Sequence, residues 1–200
     1  YFRRSQHQER GEDAWHGTGG PLNVSDPRDS NTISEAVIDA CVEAGLPRRD
    51  INGENQEGVS WYQLTVKNGQ RNSAAVAYLH PAMKRPNLRV ETRALASKVL
   101  IEDRRAVGVA FIQQGVTRTA RARKEVILAG GAVNSPQLLQ LSGVGPGALL
   151  QQLGVPVVKD LPGVGENLQD HYMIPMQWRL KPGVLSVNEL TRGARFAGEI

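Results

Sequence analysis

The residues from Gly130 to Gln137, Gly-Gly-Ala-Val-Asn-Ser-Pro-Gln, have the types and spacing of a ligand-binding corner. Two consecutive glycines let the backbone turn sharply and approach a ligand closely. Ser135 can cap the helix that follows, and Pro136 suits its first turn. An apolar run, residues 125–129, precedes the glycines, so the corner lies at the carboxyl end of a predicted strand, where ligands of open α/β sheets bind. On these residues alone a scaffold corner is the preferred interpretation, since every α/β domain has several.

The four histidines do not form a metal-binding or catalytic motif. His7, His16, His80 and His171 lack metal-ligand spacing, and none accompanies a Ser or Cys motif of a catalytic triad. Asp170 precedes His171 and has the chemistry to orient an imidazole for proton transfer, but such neighbour pairs are common. We therefore predict structural or surface roles for the histidines and no metal site.

A second glycine-rich turn, Gly143-Val-Gly-Pro-Gly-Ala148, matches the relaxed form of the dinucleotide-binding fingerprint. That fingerprint follows a strand and opens a helix. Here the turn follows a predicted helix and contains a proline. We therefore predict a turn between two helices and reject a phosphate-binding role.

The composition indicates a folded chain and argues against nucleic acid as a partner. Of 200 residues, 40% are hydrophobic and 22% charged, and the net charge is +4. Many of the arginines lie between Lys84 and Lys124, but without the interleaved aromatics of nucleic-acid binders, so a solvated strand face is expected. Cys41 is the single cysteine, which excludes an internal disulfide and fits a reducing compartment; its helical spacing indicates a core residue. The sequence predicts neither a membrane span nor a signal peptide.

Amphipathic periodicity predicts one clear helix in the first half of the chain. Apolar residues recur at positions 33, 36, 37, 40, 41 and 44, Thr32-Ile-Ser-Glu35 fits a capping box, and Gly45 with Pro47 supplies a stop. We also predict an extended segment at residues 22–24, a strand at 59–66, and a helix at 73–79 that ends near Pro81.

The second half of the chain has the pattern of a β-meander followed by a buried strand. Its β-type runs are residues 88–92, 98–101, 106–112, 116–122 and 125–129. The last run is apolar enough for a parallel sheet covered by helices on both faces. A helix that ends near Ser142 at Gly143 and a short helix at 147–153 follow. The predicted fold class is a mixture of α/β and α+β.

Residues 131–145 resemble the second signature of the GMC (glucose-methanol-choline) flavoprotein oxidoreductases, with its Ser-Pro and its terminal Ser-Gly-x-Gly. Further motifs of that family occur in order around it, and their sequences most resemble the choline dehydrogenase-like, bacterial alcohol dehydrogenase branch. These motifs are His16-Gly17, Gly20-Pro-Leu22, Gly69-Gln-Arg-Asn-Ser-Ala-Ala75, Ala77-Tyr-Leu-His-Pro81, Arg85-Pro-Asn-Leu88, Arg105-Ala-Val-Gly-Val109, Lys124-Glu-Val-Ile-Leu-Ala-Gly-Gly131 and Pro162-Gly-Val-Gly-Glu-Asn-Leu-Gln-Asp-His171. The resemblance covers nearly the whole chain.

The resemblance implies parts of two domains that alternate along the chain. Residues 1–87 would belong to a substrate-binding domain, 88–170 to a Rossmann-like FAD-binding domain that includes the meander, and 171–200 to the start of a return to the substrate domain. Members oxidise a primary alcohol, choline-like or aliphatic, to the aldehyde by hydride transfer to the flavin while a histidine takes the hydroxyl proton. Oxygen or another acceptor then receives the electrons.

The resemblance also implies which residues lie near FAD. Ala96 would place its backbone against the adenine, the turn Ala129, Gly130 and Gly131 would lie near the ADP part, and Asn134 and Ser135 would set that turn. The family's G-x-G-x-x-G turn and catalytic histidine have no match here, and the chain opens on Tyr1. We therefore expect an internal fragment that has no catalytic residue, does not retain FAD and is inactive alone.

Other interpretations stay open at this point. A stand-alone binding module would use the arginines of the meander to hold an acidic partner, and a degenerate relative of the family would serve as a non-catalytic interaction domain. An incomplete sheet exposes apolar edges, so dimerisation through that surface is expected. The expected location is the bacterial cytoplasm, with membrane association only through the complete enzyme.

Overall fold

A computed structural model describes residues 1–28, 31–184 and 186–190 and divides into two compact units. The N-terminal unit comprises Tyr1–Arg89 together with the described residues from Met176 onward. The meander unit comprises Val90–Pro175. The assignment of residues 1–87 and 171–200 to a substrate domain and of 88–170 to an FAD domain stays a prediction.

Short elements joined by polar side chains form the N-terminal unit. In chain order they are α1 (Phe2–Ser5), β1 (Gln6–Gln8), β2 (Leu22–Val24), α2 (Thr32–Glu43), β3 (Val66–Lys67), β4 (Gln70–Arg71), a π-helical turn (Ala75–Leu79) and α3 (His80–Ala82), with a helical turn at Val187–Leu190. The predicted extended segment at 22–24 is confirmed as β2, which pairs in parallel with β1. The side chain of the buried Asn23 donates to the carbonyl of Val66 at 2.6 Å, and its backbone N–H donates to Oδ1 of Asn72 at 2.8 Å. These buried amides hold β2 where few apolar side chains are available.

The predicted helix at the start of this unit is confirmed as α2, but its cap and its buried face differ from prediction. Asn31, not Thr32, is the N-cap, and its Oδ1 accepts from the N–H of Ile33 at 2.9 Å. The capping box is wrong because Glu35 instead accepts from the indole N–H of Trp61 at 2.7 Å. The buried side is centred on Ile38, whereas Val37, which we placed on the core face, is exposed.

Of two other predictions for this unit, the strand is wrong and the helix is confirmed. Residues 59–66 do not form a strand; only isolated bridges at Val59 and Leu64 and the two-residue β3 occur there. The helix predicted for 73–79 with an end near Pro81 is confirmed, with shifted bounds: a π-helical turn at Ala75–Leu79 continues into α3, which ends at Ala82. A proline ring clashes with the carbonyl four residues earlier in an α-helix, and the wider π-helical turn before Pro81 relieves that clash.

The meander is confirmed as a three-stranded antiparallel sheet of β5 (Ala94–Glu102), β6 (Arg105–Gln113) and β7 (Val116–Arg121), in that order. A bulge interrupts β5 between Ala96 and Lys98. Residues 88–92, predicted as a strand, are not one, and β5 begins earlier than the predicted 98–101. One reason is that a strand needs a neighbour, and β6 is long enough to pair β5 only from Ala94 onward.

The apolar run at residues 125–129 is not a strand in this structure, so our prediction of a parallel sheet covered by helices is wrong for these residues. Within the described residues no backbone lies alongside it to form a ladder. Its Ile127 side chain is 78% exposed. The parallel pairing in the meander unit is confined to β8 (Val144–Gly145) and β9 (Lys159–Asp160).

Two helices flank β8 in the meander unit. α4 (Gly131–Leu141) begins earlier than predicted: its N-cap is Gly130, and Ser135 and Pro136 lie inside the helix rather than at its cap and first turn. The end at Gly143 is confirmed by a φ of 85°. α5 (Gly147–Gln152) then follows, so the glycine-rich turn lies between two helices, as predicted. Leu150 of α5 is fully buried.

Among the described residues no helix is long and apolar enough to cross a membrane. The mixture of helices, hairpins and short parallel pairs confirms the mixed fold class.

Candidate functional site: a cleft between the meander and helix α4

A cleft of about 450 Å³ lies between the first strand of the meander and the start of α4. Ala94, Leu95 and Ala96 of β5 with Val109 of β6 form one wall. The other wall consists of residues 126–130 and of α4 side chains, namely Asn134, Ser135, Gln137, Leu138 and Leu141. The volume of the cleft falls in the range of small-molecule sites, roughly 300–1,000 Å³.

Five of the six residues predicted to contact a cofactor line this one cleft. They are Ala96, Ala129, Gly130, Asn134 and Ser135. The sixth, Gly131, is not among the lining residues, but it begins α4 at the mouth of the same turn, with a φ of 83° that favours glycine. The structure thus brings Ala96 together with a turn that follows it by more than 30 residues. Whether they contact a cofactor stays a prediction.

Ser135 fixes the turn from inside the helix. Its Oγ accepts from the backbone N–H of Gly130 at 2.9 Å. This hydrogen bond closes a loop of six residues, Gly130 to Ser135. The first N–H groups of α4 have no intrahelical partners, as at every helix start. Asn134 is exposed beside it, and its amide makes no hydrogen bond to the described residues. The turn therefore presents a free amide side chain and backbone N–H groups next to the cleft.

The sequence pattern does not predict the apolar lining of the cleft. Leu95, Leu138 and Leu141 belong to the walls, and Leu95 is 69% exposed. A single exposed leucine is ordinary, but the three leucines lie around one cleft, and an apolar patch of this kind is a signal of a ligand-binding surface. The bulge at Ala96 hides this signal, because it breaks the two-residue alternation that a strand prediction uses.

The histidines lie outside the cleft and form no metal cluster among the described residues. His16 is buried, and its Nδ1 lies 2.9 Å from both carboxylate oxygens of Asp13. The side-chain hydrogen bond from His16 lowers the pKa of Asp13 to about 2, and Asp13 also accepts hydrogen bonds from backbone N–H groups, which act in the same direction. The Asp170 carboxylate accepts from the backbone N–H of His171 rather than from its ring. These contacts are structural ones.

The order of motifs and the fold match a known family over most of the chain. Residues 1–173 match the family model described as GMC oxidoreductase. The chain belongs to the GMC oxidoreductase family. Among curated GMC-type relatives, mitochondrial choline dehydrogenase of Homo sapiens is 50% identical over 88% of this chain and 30% of its own length. Oxygen-dependent choline dehydrogenase of Pseudomonas putida is 46% identical over 98% of this chain and 37% of its own length.

Solved structures with the GMC fold agree with the architecture. An FAD-dependent oxidoreductase from Chaetomium thermophilum superposes with a TM-score of 0.76 and 32% identity, over 81% of this chain and 31% of that one. Pyridoxine 4-oxidase from Mesorbium loti gives a TM-score of 0.75 and 32% identity, over 80% of this chain and 32% of that one. The chain thus spans about a third of the length of these relatives.

The cleft has features that suit the adenosine part of FAD. Alanine and glycine line it at Ala94, Ala96, Ala129 and Gly130, which leaves space for a flat ring against the backbone. Leu95 and Leu138 provide apolar contacts for such a ring. Asn134 supplies hydrogen-bonding groups at the rim. The residues present therefore fit one end of a dinucleotide, and a cleft of this size suits a part of FAD rather than the whole molecule.

Proposed function

We propose that the protein carrying this chain is an FAD-dependent oxidoreductase that oxidises a primary alcohol to the aldehyde. The observation that carries this proposal is the 50% identity to a choline dehydrogenase across 88% of the chain. The cleft supports it, because the residues expected near the cofactor lie around one cavity. FAD supplies a hydride acceptor for the alcohol carbon. A choline-like or aliphatic alcohol is the proposed substrate class.

The proposed role of the cleft is to hold the ADP part of FAD. Ala96 and its neighbours on β5 would contact the adenine ring, and the turn 129–131 would lie close to the ribose and pyrophosphate. The unpaired N–H groups at the start of α4 and the positive end of the helix dipole favour negative charge there. None of the cleft residues is assigned to the proton transfer, so the cleft binds and orients rather than reacts.

Several finer points belong to the same proposal. Oxygen or another acceptor would take the electrons, and the chain alone would be inactive and would not retain FAD. Dimerisation through an exposed sheet surface and a cytoplasmic location stay predictions.

The function is tested on the full-length purified protein. Denaturation should release FAD in a ratio near one per chain, measured by flavin fluorescence against a standard. A panel of primary alcohols that includes choline should then reduce an artificial electron acceptor, with aldehyde formed in equal amount. A protein that releases no FAD, or whose flavin no alcohol reduces, would contradict the proposal.

The site is tested with two equal substitutions on the same sheet. Ala96→Leu places a larger side chain inside the cleft, whereas Ala120→Leu adds the same atoms to the exposed strand β7, outside the cleft. We expect the dissociation constant for FAD to rise at least tenfold for Ala96→Leu and less than twofold for Ala120→Leu, since a well-packed site tolerates added methylenes poorly. Equal affinities in the two variants would place the adenine elsewhere.

A further inference from the structure

Ser142 is buried at the junction of the two walls of the cleft without lining the cleft itself. Only 1% of its surface is exposed. Its Oγ accepts from the backbone N–H of Val99 at 2.8 Å and donates to the carbonyl of Leu138 at 2.5 Å. One hydroxyl thus joins strand β5 to the last turn of α4. The residue is absent from the cofactor contacts that the sequence predicts.

The hydrogen bond to Val99 replaces a missing neighbouring strand. β5 is an edge strand of the meander, because the strand order is β5, β6, β7. Val99 lies opposite Val109 of β6 but directs its N–H to Ser142, which is on the other side of β5. Val99 is itself buried, so water does not reach this N–H group. A buried N–H without an acceptor is unfavourable, and Ser142 is the acceptor.

The position of this bond relates it to the cleft. Val99 lies three residues after Ala96 on the strand wall, and Ser142 lies directly after Leu141 on the helix wall. Leu138, whose carbonyl accepts from Ser142, also lines the cleft. The hydroxyl therefore links one residue next to each wall and sets how far along β5 the helix lies. A shift of one wall along the other would change the width of the cleft and the place of the 129–131 turn.

We propose that Ser142 is a positioning residue for the cofactor: its bridge between Val99 and Leu138 holds α4 against β5 at the spacing that the ADP part of FAD requires. This inference rests on the proposed function, since it assumes that the cleft holds FAD. Ser142 touches neither the cofactor nor the substrate. Removal of the Ser142 hydroxyl should weaken FAD binding because it changes the spacing of the two walls. The loss of affinity should be larger than that caused by a substitution elsewhere in the unit that lowers stability by the same amount.

The test compares Ser142→Ala with two controls in the full-length protein. Leu150→Ala destabilises the meander unit through a fully buried side chain that does not line the cleft. Asp160→Ala removes another side-chain acceptor of a backbone N–H, that of Gly147 at 2.8 Å, also outside the cleft. Apoprotein is titrated with FAD, and the dissociation constant is measured by flavin fluorescence. Amide hydrogen exchange at Val99 is measured on the same samples.

We expect Ser142→Ala to raise the dissociation constant for FAD roughly tenfold and to speed exchange at Val99, because a buried N–H loses its acceptor. The two controls should change the dissociation constant less than threefold. Ser142→Cys keeps a weak acceptor and should give an intermediate dissociation constant for FAD. This variant also tests the inference if Ser142→Ala does not fold.

The outcomes separate this inference from the proposed function. A wild-type protein that binds no FAD removes both. If the wild-type protein binds FAD and Ser142→Ala or Ser142→Cys binds it as tightly as the controls do, the positioning role alone is refuted. A loss of affinity that follows global stability, greatest in Leu150→Ala, also refutes that role alone.

Discussion

Replacing Gly143 by alanine should disrupt the parallel pairing of β8 with β9, and Gly154→Ala provides a matched control. Both glycines have a left-handed backbone, with φ of 85° and 71°. A Cβ at Gly154 would meet no atom within 4 Å. A Cβ at Gly143 would collide with the carbonyl oxygen of Pro156 and lie 2.9 Å from Cγ2 of Val158. The two substitutions therefore share a backbone cost and differ in the collision.

The magnitude follows from what must move. The shared cost of a left-handed alanine is about 1–2 kcal/mol. Relief of the collision requires residues 156–158 to move away from Gly143, whose carbonyl accepts from the N–H of Val158 at 2.8 Å and of Lys159 at 3.1 Å. Weakening two hydrogen bonds costs roughly 1–3 kcal/mol more. We expect Gly154→Ala to lower the free energy of unfolding by about 1–2 kcal/mol and Gly143→Ala by about 2–5 kcal/mol.

The assay is urea denaturation of the full-length protein, followed by circular dichroism, with hydrogen exchange at Val158 and Lys159 as a local measure. Exchange at these two amides should accelerate in Gly143→Ala and stay unchanged in Gly154→Ala. Equal free energies of unfolding in the two variants, within about 0.5 kcal/mol, would refute the argument that Gly143 is needed for close approach, since this is the usual range for surface substitutions.

Three further predictions concern stability. Leu150→Ala should lower the free energy of unfolding by about 2–5 kcal/mol, as for other buried leucines, whereas the half-exposed Leu149→Ala should cost much less; denaturation curves that coincide would contradict this. Asn31→Ala should lower the free energy of unfolding by roughly 1 kcal/mol, because α2 loses its cap, and Asn31→Asp should keep most of the stability. An unchanged denaturation curve of the helical circular dichroism signal in Asn31→Ala would argue against the cap. Because the pKa of Asp13 is lowered from 3.8 to about 2 by its hydrogen bond from His16, the stabilisation is present above the unfolded value and is lost as the pH falls from about 4 to 2. Asp13→Asn should flatten that step in the stability profile between pH 4 and 2, and an unchanged profile would contradict a stabilising role of the Asp13–His16 hydrogen bond.

Elements that depend on neighbours close in sequence could be predicted well. The hairpins from β5 to β7 have short polar turns, and α2 has a clear period and a stop signal at Gly45. The buried side of α2 could not be predicted, because Ile38 and Val37 are equally apolar and only the packing partners distinguish them. Local pattern therefore gives the type of an element more readily than its orientation.

Elements that depend on distant partners could not be predicted. The run at residues 125–129 has the composition of a buried strand, but strand formation requires a second backbone, which composition does not supply. The family resemblance predicts that Ala96 and the turn at Gly130 both lie near one ligand, and in the structure both line one cleft. Ser142 belongs to the terminal Ser-Gly-x-Gly of the family signature, but the motif does not reveal its role, because that role comes from a hydrogen bond to a residue 43 positions earlier.

That sequence separation has a consequence for how the cleft arises during synthesis. The meander consists of hairpins whose turns, at residues 103–104 and 114–115, join neighbouring strands, so its pairing has a small loop-closure cost and can form as soon as β7 emerges from the ribosome. The bridge from Ser142 closes only after α4 has also been made. We therefore expect nascent chains that stop before residue 142 to contain a folded meander without the cleft, so that any ligand of the cleft binds only after α4 has been synthesised.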